Sequence, residues 1–181
     1  MNDNLPKRKV LRYKHFDYNE GVVFITICTL ERKQILSNVV SDAATSNRIV
    51  GDGALDVPKI QLTEFGKIVE KHIISSNQIK GIKVLQYVIM PNHIHILVSL
   101  SPHKRSRDVE APSPTNKRQN LPIPSFVSAL KRFCNKEIGE NIFQRSYYDH
   151  VIRSDKDLDM HIYYILHNPE NWYFDELYSD S

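Results

Sequence analysis

The apolar positions of this chain fall into seven groups, and their spacing assigns an element to each. Gly21 to Leu30 (GVVFITICTL) is dense in β-branched and aromatic residues and too short for a lone amphipathic helix, so it predicts a buried strand. Leu62, Phe65, Val69, His72 and Ile73 recur at helical spacing behind Thr63, a suitable N-cap. Ile82 to Ile89 and Ile94 to Leu100 are strand-like runs joined by Met90-Pro91-Asn92, turn chemistry that suits an antiparallel hairpin. Neither run alternates fully with polar residues, so both are expected in the middle of a sheet. Phe126, Val127, Leu130 and Phe133 mark a second amphipathic helix that Gly139 ends. Tyr147 to Ile152 reads as a short closing strand. Asp155 then opens a third helix with the stripe Leu158, Ile162, Ile165 and Leu166, stopped at Asn168-Pro169.

The order strand, helix, strand, strand, helix, strand, helix predicts an α+β fold: a ferredoxin-like, RRM-like antiparallel sheet with helices covering one face. At 181 residues and 41% apolar content the chain is expected to form a single domain over residues 1–181. Two stretches interrupt it. Val39 to Pro58 is small and polar, without periodicity, and is expected to be a long loop or a minor hairpin. Ser101 to Pro124 holds five of the nine prolines, too little apolar area to order itself, and is expected to be a flexible connection. No run is long and apolar enough for a membrane span and the polar amino terminus is no signal peptide, so a soluble cytoplasmic protein without a membrane partner is expected. Cys28 and Cys134 are too few for a disulfide framework or a cysteine zinc site and read as buried thiols.

Net charge is +3, which says little about a nucleic-acid partner. The distribution of basic residues says more. Arg8, Lys9 and Arg12 cluster near the start, Lys131 and Arg132 lie on the second helix, and Arg145 and Arg153 flank the closing strand. Each could pair with phosphates, although solvated surface would read the same way.

The sharpest chemical feature is Pro91-Asn92-His93-Ile94-His95. Side chains alternate along a strand, so His93 and His95 project from one face while Ile94, Ile96 and Val98 take the other. Same-face neighbours stand about 6.5–7 Å apart at Cα, close enough for both imidazoles to converge on one divalent ion. Two surface or hydrogen-bonded histidines would give the same pattern, and two imidazoles alone leave a metal under-coordinated. The third helix offers further groups. Tyr164 and Asn168 are spaced i,i+4 and share a strip with Asp157 and His161 that borders the apolar stripe. Tyr163, paired with His167 on the other side of the stripe, competes with Tyr164, and Asn168 could equally be an ordinary helix terminus before proline.

These residues together resemble the REP-associated tyrosine transposases, within the HUH single-tyrosine transposases of insertion sequences. The likeness runs through Phe24-Ile25-Thr26-Ile27-Cys28-Thr29, Met90-Pro91-Asn92-His93-Ile94-His95, Phe143-Gln144-Arg145-Ser146-Tyr147-Tyr148-Asp149-His150, and Tyr164-Ile165-x-x-Asn168-Pro169 with Trp172 beyond. The resemblance implies an HUH transposase fold, His93 and His95 as ligands of Mg²⁺ or Mn²⁺, and Tyr164 as the nucleophile that forms a 5′-phosphotyrosine. Related enzymes carry a glutamine where Asn168 stands, which implies Asn168 as a further ligand through a shorter side chain. It also implies single-stranded or hairpin DNA as partner, a nucleoid-associated site of action and a homodimer, with the tyrosine helix serving either its own subunit or its partner's. Two rivals remain: a noncatalytic nucleic-acid-binding module of RRM-like fold, and a metal-dependent hydrolase that activates water.

Overall fold

A computed structural model describes residues 21–40, 59–101 and 122–178. Strands are β1 (Gly21–Cys28), β2 (Ser37–Val40), β3 (Lys59–Leu62), β4 (Ile82–Ile89), β5 (His93–Leu100) and β6 (Tyr148–Ile152); helices are α1 (Glu64–Ser75), α2 (Pro122–Ile138) and α3 (Asp155–His167). The main sheet is antiparallel in the order β4-β5-β1-β6, and β2 and β3 pair separately. The expected α+β class with its antiparallel sheet is present. Residues 41–58 and 102–121, which contain most of the two expected loops, lie outside the described residues, as do Arg8, Lys9 and Arg12.

The sheet buries both faces, each under different helices. Val23, Ile25 and Ile27 of β1 and Ile94, Ile96 and Val98 of β5 join Val69 and Ile73 of α1 and Phe126, Val127 and Leu130 of α2 in the larger core. The opposite face carries Phe24 and Leu97, which pack with Ile165 of α3 in a second, smaller core. Two helices therefore cover one face, and α3 alone covers the face that bears the histidines. Periodicity showed which stripe of α3 is apolar, but a stripe does not specify which side of a sheet it will meet.

Strand β5 is central, as expected, but β4 is an edge strand. Its apparent lack of alternation comes from a bulge: Val84 pairs with Val98 and Gln86 with Leu97, so Leu85 is an extra residue and the parity of the apolar positions flips there. Ile82 and Val84 before the bulge, and Tyr87 and Ile89 after it, thus all face the larger core. Helix α2 starts at Pro122, inside the stretch expected to be a flexible connection. Proline suits a first helical turn because the amides it lacks have no intrahelical acceptor there. Gly139 follows α2 at φ +92°, a conformation that favours glycine. Cys134 is buried as expected, whereas Cys28 is only partly so.

Thr63 caps α1 by accepting from the Gly66 amide at 3.1 Å. A Cβ on Gly66 would run into the backbone carbonyl of Leu36. That carbonyl also accepts from the Thr63 amide at 3.0 Å and cannot simply move away. Gly66→Ala, a change that normally helps a helix, is therefore expected to destabilise the fold by about 1–3 kcal/mol, read as a lower urea midpoint; a rise would show that β2 yields freely.

Candidate active site

The register of the central strands sets the site. Thr26 lies opposite His95 and Cys28 opposite His93, all on the face covered by α3. His93 and His95 are 0% and 2% exposed, with ring centroids 4.5 Å apart. Burial disfavours the imidazolium and at His93 outweighs the opposing pull of the Asp175 charge, so both groups titrate below their usual 6.5, His95 well below it.

Their hydrogen bonds determine which nitrogen carries the proton. The Asn92 amide donates from Nδ2 to the Leu177 carbonyl at 2.8 Å, which turns its Oδ1 toward His93 Nδ1, 2.8 Å away. An amide oxygen only accepts, so Nδ1 of His93 is the protonated nitrogen and Nε2 keeps its lone pair. Thr26 Oγ1 lies 2.9 Å from His95 Nδ1 and can hold that ring in the same tautomer. At the C-cap of α3, Asn168 donates from Nδ2 to Asp175 Oδ2 at 2.9 Å, which aims its Oδ1 away from the carboxylate.

Three atoms are left buried without a hydrogen-bond partner: His93 Nε2, His95 Nε2 and Asn168 Oδ1. Each such acceptor costs about 1–3 kcal/mol, and native proteins rarely collect several in one place without a reason. All three carry lone pairs suited to a divalent cation, so the donor set fits one. The Asp175 carboxylate lies within 4.8 Å of the ligand atoms of both histidines and offers a charged oxygen as well.

Tyr164 stands beside this group, its ring 5.1 Å from that of His95 and 6.1 Å from that of Phe24, and its hydroxyl donates to Asp175 Oδ2 at 3.2 Å. Burial, then the neighbouring Asp175 charge, pushes its phenol up to about 12. Tyr163 is 64% exposed and stacks on His167 instead, away from the histidine pair. The tyrosine helix reaches the histidines of its own chain. Phe24, Thr26, His95, Tyr148, His161 and Tyr164 help to line an open cleft of about 470 Å³ at this point.

No family model matches this chain. An uncharacterised protein of Haemophilus influenzae is 26% identical over 192 residues, covering 99% of this chain and 97% of that protein. A second protein of that organism, provisionally named a REP-associated tyrosine transposase, is 33% identical over 93 residues, 51% of this chain and 52% of that one. A solved REP-associated tyrosine transposase bound to a REP hairpin superposes with a TM-score of 0.56 at 17% identity, covering 91% of this chain and 76% of the other, and so shares its fold. The chain is thus similar to REP-associated tyrosine transposases in sequence over about half its length and in fold across most of it. That relationship supports a transposase role.

Sequence reasoning missed two residues that organise this site. Asp175 follows α3 in a short turn, Trp172–Phe174, and touches both Tyr164 and Asn168 across seven to eleven positions. An acidic residue after the aromatic run Trp172-Tyr173-Phe174 was the available signal, but no spacing rule links it to α3. Asn92 orients His93 and was read only as a turn residue. Trp172 packs its ring 5.9 Å from that of His93 and is itself buried.

A second cluster lies one turn up α3. Asp157 holds His150 Nε2 at 3.1 Å and His161 Nδ1 at 3.1 Å, and also accepts from the Arg153 amide at 3.0 Å. The two imidazoles are nearly parallel, at 14° with centroids 4.7 Å apart. Stacked rings direct their lone pairs alongside one another instead of at a common point, so this cluster reads as a staple between β6 and α3.

The basic residues expected to meet DNA are dispersed. Lys131 donates to the carbonyls of Gln144 and Ser146 at 2.8 and 2.9 Å, and burial pushes its ammonium down to about 8. Arg132 covers the Phe133 ring at 5.0 Å. Both belong to α2, which packs on the face away from the histidines. Arg145 and Arg153 are exposed at either end of β6. Among the described residues, no helix is long and apolar enough to cross a membrane.

The depressed histidines make a stability prediction for the metal-free protein. Below the usual 6.5 the unfolded chain takes up two protons that the folded chain refuses, so stability falls as pH drops. The expected slope steepens from about 0.7 kcal/mol per pH unit for each imidazole at pH 6.5 toward about 1.4 near pH 5, and His95→Gln should roughly halve it. A urea midpoint that stays constant over that window would mean the rings are not buried in neutral form.

Proposed function

We propose that this chain is a metal-dependent enzyme that nicks and rejoins single-stranded DNA through a 5′-phosphotyrosine at Tyr164, acting at hairpin-forming palindromic repeats. The observation that carries this reading is the meeting of two adjacent buried, bare imidazole nitrogens with a tyrosine beside an open cleft that His95 and Tyr164 line. A module that only binds nucleic acid has no use for unpartnered ring nitrogens. The hairpin bound by the solved relative supports the choice of substrate.

His93 Nε2, His95 Nε2 and Asn168 Oδ1 would hold Mg²⁺ or Mn²⁺, with Asp175 available to the same position. When bound, the ion supplies Lewis-acid polarisation of a phosphate. Asn92 and Thr26 keep the lone pairs of the two imidazoles pointed inward. Tyr164 Oη attacks phosphorus, forming a phenolic O–P bond while the P–O3′ bond breaks. The phenol's proton passes to Asp175 Oδ2, its hydrogen-bond acceptor, and the departing 3′-oxygen takes a proton from solvent. The ester energy is retained in the tyrosine link, so a 3′-hydroxyl can reverse the step without a nucleotide cofactor. The same placement of Tyr164 and the histidines in one chain allows cleavage by a single subunit, whether or not the enzyme pairs with a second copy on the nucleoid.

The direct test is to incubate the protein with labelled hairpin strands and Mg²⁺ or Mn²⁺, then identify a nucleotide adduct by mass spectrometry. The adduct is expected on Tyr164; strand cleavage with no adduct on any tyrosine would leave a water-activating hydrolase.

A further inference from the structure

Between β1 and β2 the chain makes a tight turn, Leu30-Glu31-Arg32-Lys33, closed by the Lys33 amide on the Leu30 carbonyl at 3.2 Å. Both central residues are left-handed, Glu31 at φ 56° and Arg32 at φ 57°. This is the pattern of a type I′ turn, which ordinarily calls for Asn-Gly because a Cβ is strained there. Glu-Arg is a poor choice, and among the described residues these are the only non-glycine positions with positive φ. The turn is laced to the segment that orients His93: the Thr29 amide donates to the Asn92 carbonyl at 2.9 Å and the Leu36 amide to Pro91 at 3.0 Å. Arg32 Nη1 reaches the Glu176 carbonyl at 3.3 Å, on the segment that lines the cleft, and its charge is felt at His93.

We infer that the strained turn is kept to hold the Arg32 guanidinium at the mouth of the cleft, where it grips a backbone phosphate of the bound strand beside the reacting one. Strain of this kind persists where the surrounding structure over-determines it, and it concentrates at ligand clamps. A guanidinium suits a phosphate because its fork of donors can bond two oxygens at once. The inference rests on the strand-cleaving reading for its substrate, but a phosphate contact can be measured without cleavage.

Two variants separate function from folding. Arg32→Gly removes the guanidinium and relieves the backbone; Glu31→Gly relieves the adjacent residue and keeps the guanidinium. Both are expected to melt no lower than wild type. With a hairpin carrying a single-stranded flank, Arg32→Gly should lower the slope of log affinity against log salt by about 0.7, the loss of one single-strand phosphate contact, while Glu31→Gly leaves the slope unchanged. Nicking should fall at least tenfold in Arg32→Gly, with Arg32→Lys recovering part of it. An unaltered salt slope in Arg32→Gly, or a melting temperature several degrees lower, would overturn the inference by making Arg32 a bystander or a folding contact. A lowered slope in Arg32→Gly, found alongside a wild-type protein that never nicks, would instead remove the reaction and leave the clamp.

Discussion

Tyr164→Phe is expected to abolish nicking of a labelled hairpin strand, by at least about a thousandfold, or about 4 kcal/mol of transition-state stabilisation. The change deletes the single oxygen proposed to bond phosphorus and leaves the ring against His95 and Phe24. The lost hydroxyl bond to Asp175 should cost no more than about 1 kcal/mol of stability, so the folded protein remains for comparison. Binding to the hairpin should stay within about twofold of wild type, because a nucleophile contributes chiefly in the transition state. Tyr163→Phe is the matched control. Its hydroxyl belongs to an exposed ring stacked on His167, and its loss should leave nicking intact. If Tyr164→Phe nicks normally while Tyr163→Phe does not, the nucleophile has been assigned to the wrong face of α3; if both nick, neither tyrosine of α3 is the nucleophile.

His93→Ala should remove cleavage and most of the response to metal. Wild type at a Mn²⁺ concentration about a hundredfold above its dissociation constant should gain about 2.7 kcal/mol in stability through binding to the folded state alone. The variant keeps one imidazole beside the oxygens of Asn168 and Asp175, a set that holds the ion far more weakly, so its melting temperature should respond much less to Mn²⁺ and excess Mn²⁺ should not restore nicking. Without metal the substitution should be mild, since the cavity it opens is offset by removal of a buried nitrogen that had no partner. Full activity in the presence of a chelator would refute the metal requirement, and an unchanged Mn²⁺ response would move the binding site elsewhere.

Much of this site was legible along the chain because its parts are local. Alternation within β5 is enough to put His93 and His95 on one face and the isoleucines on the other, and helical periodicity is enough to put Tyr164 and Asn168 on a common strip. Local patterning also located the hairpin at Met90-Pro91-Asn92, the N-cap at Thr63 and the end of α2 at Gly139. It failed where a rule of parity was broken from outside: the bulge at Leu85 disguised an edge strand as a central one. It was silent on Glu31-Arg32, whose conformation no propensity suggests.

Alternation and periodicity along the chain specify which residues each strand and helix turns inward and which stay polar at its margin. Only the tertiary structure decided that α3 lies over the histidines while α1 and α2 take the other side, that Tyr164 and not Tyr163 meets them, and that Asn92, Thr26 and Asp175 set the orientation of the groups around them. The reason is that each of those outcomes is a contact between distant parts of the chain. Thr26 reaches His95 across 69 positions and Asn92 reaches Leu177 across 85. Periodicity fixes the faces of an element, whereas the neighbour that covers a face is chosen by the packing of the whole.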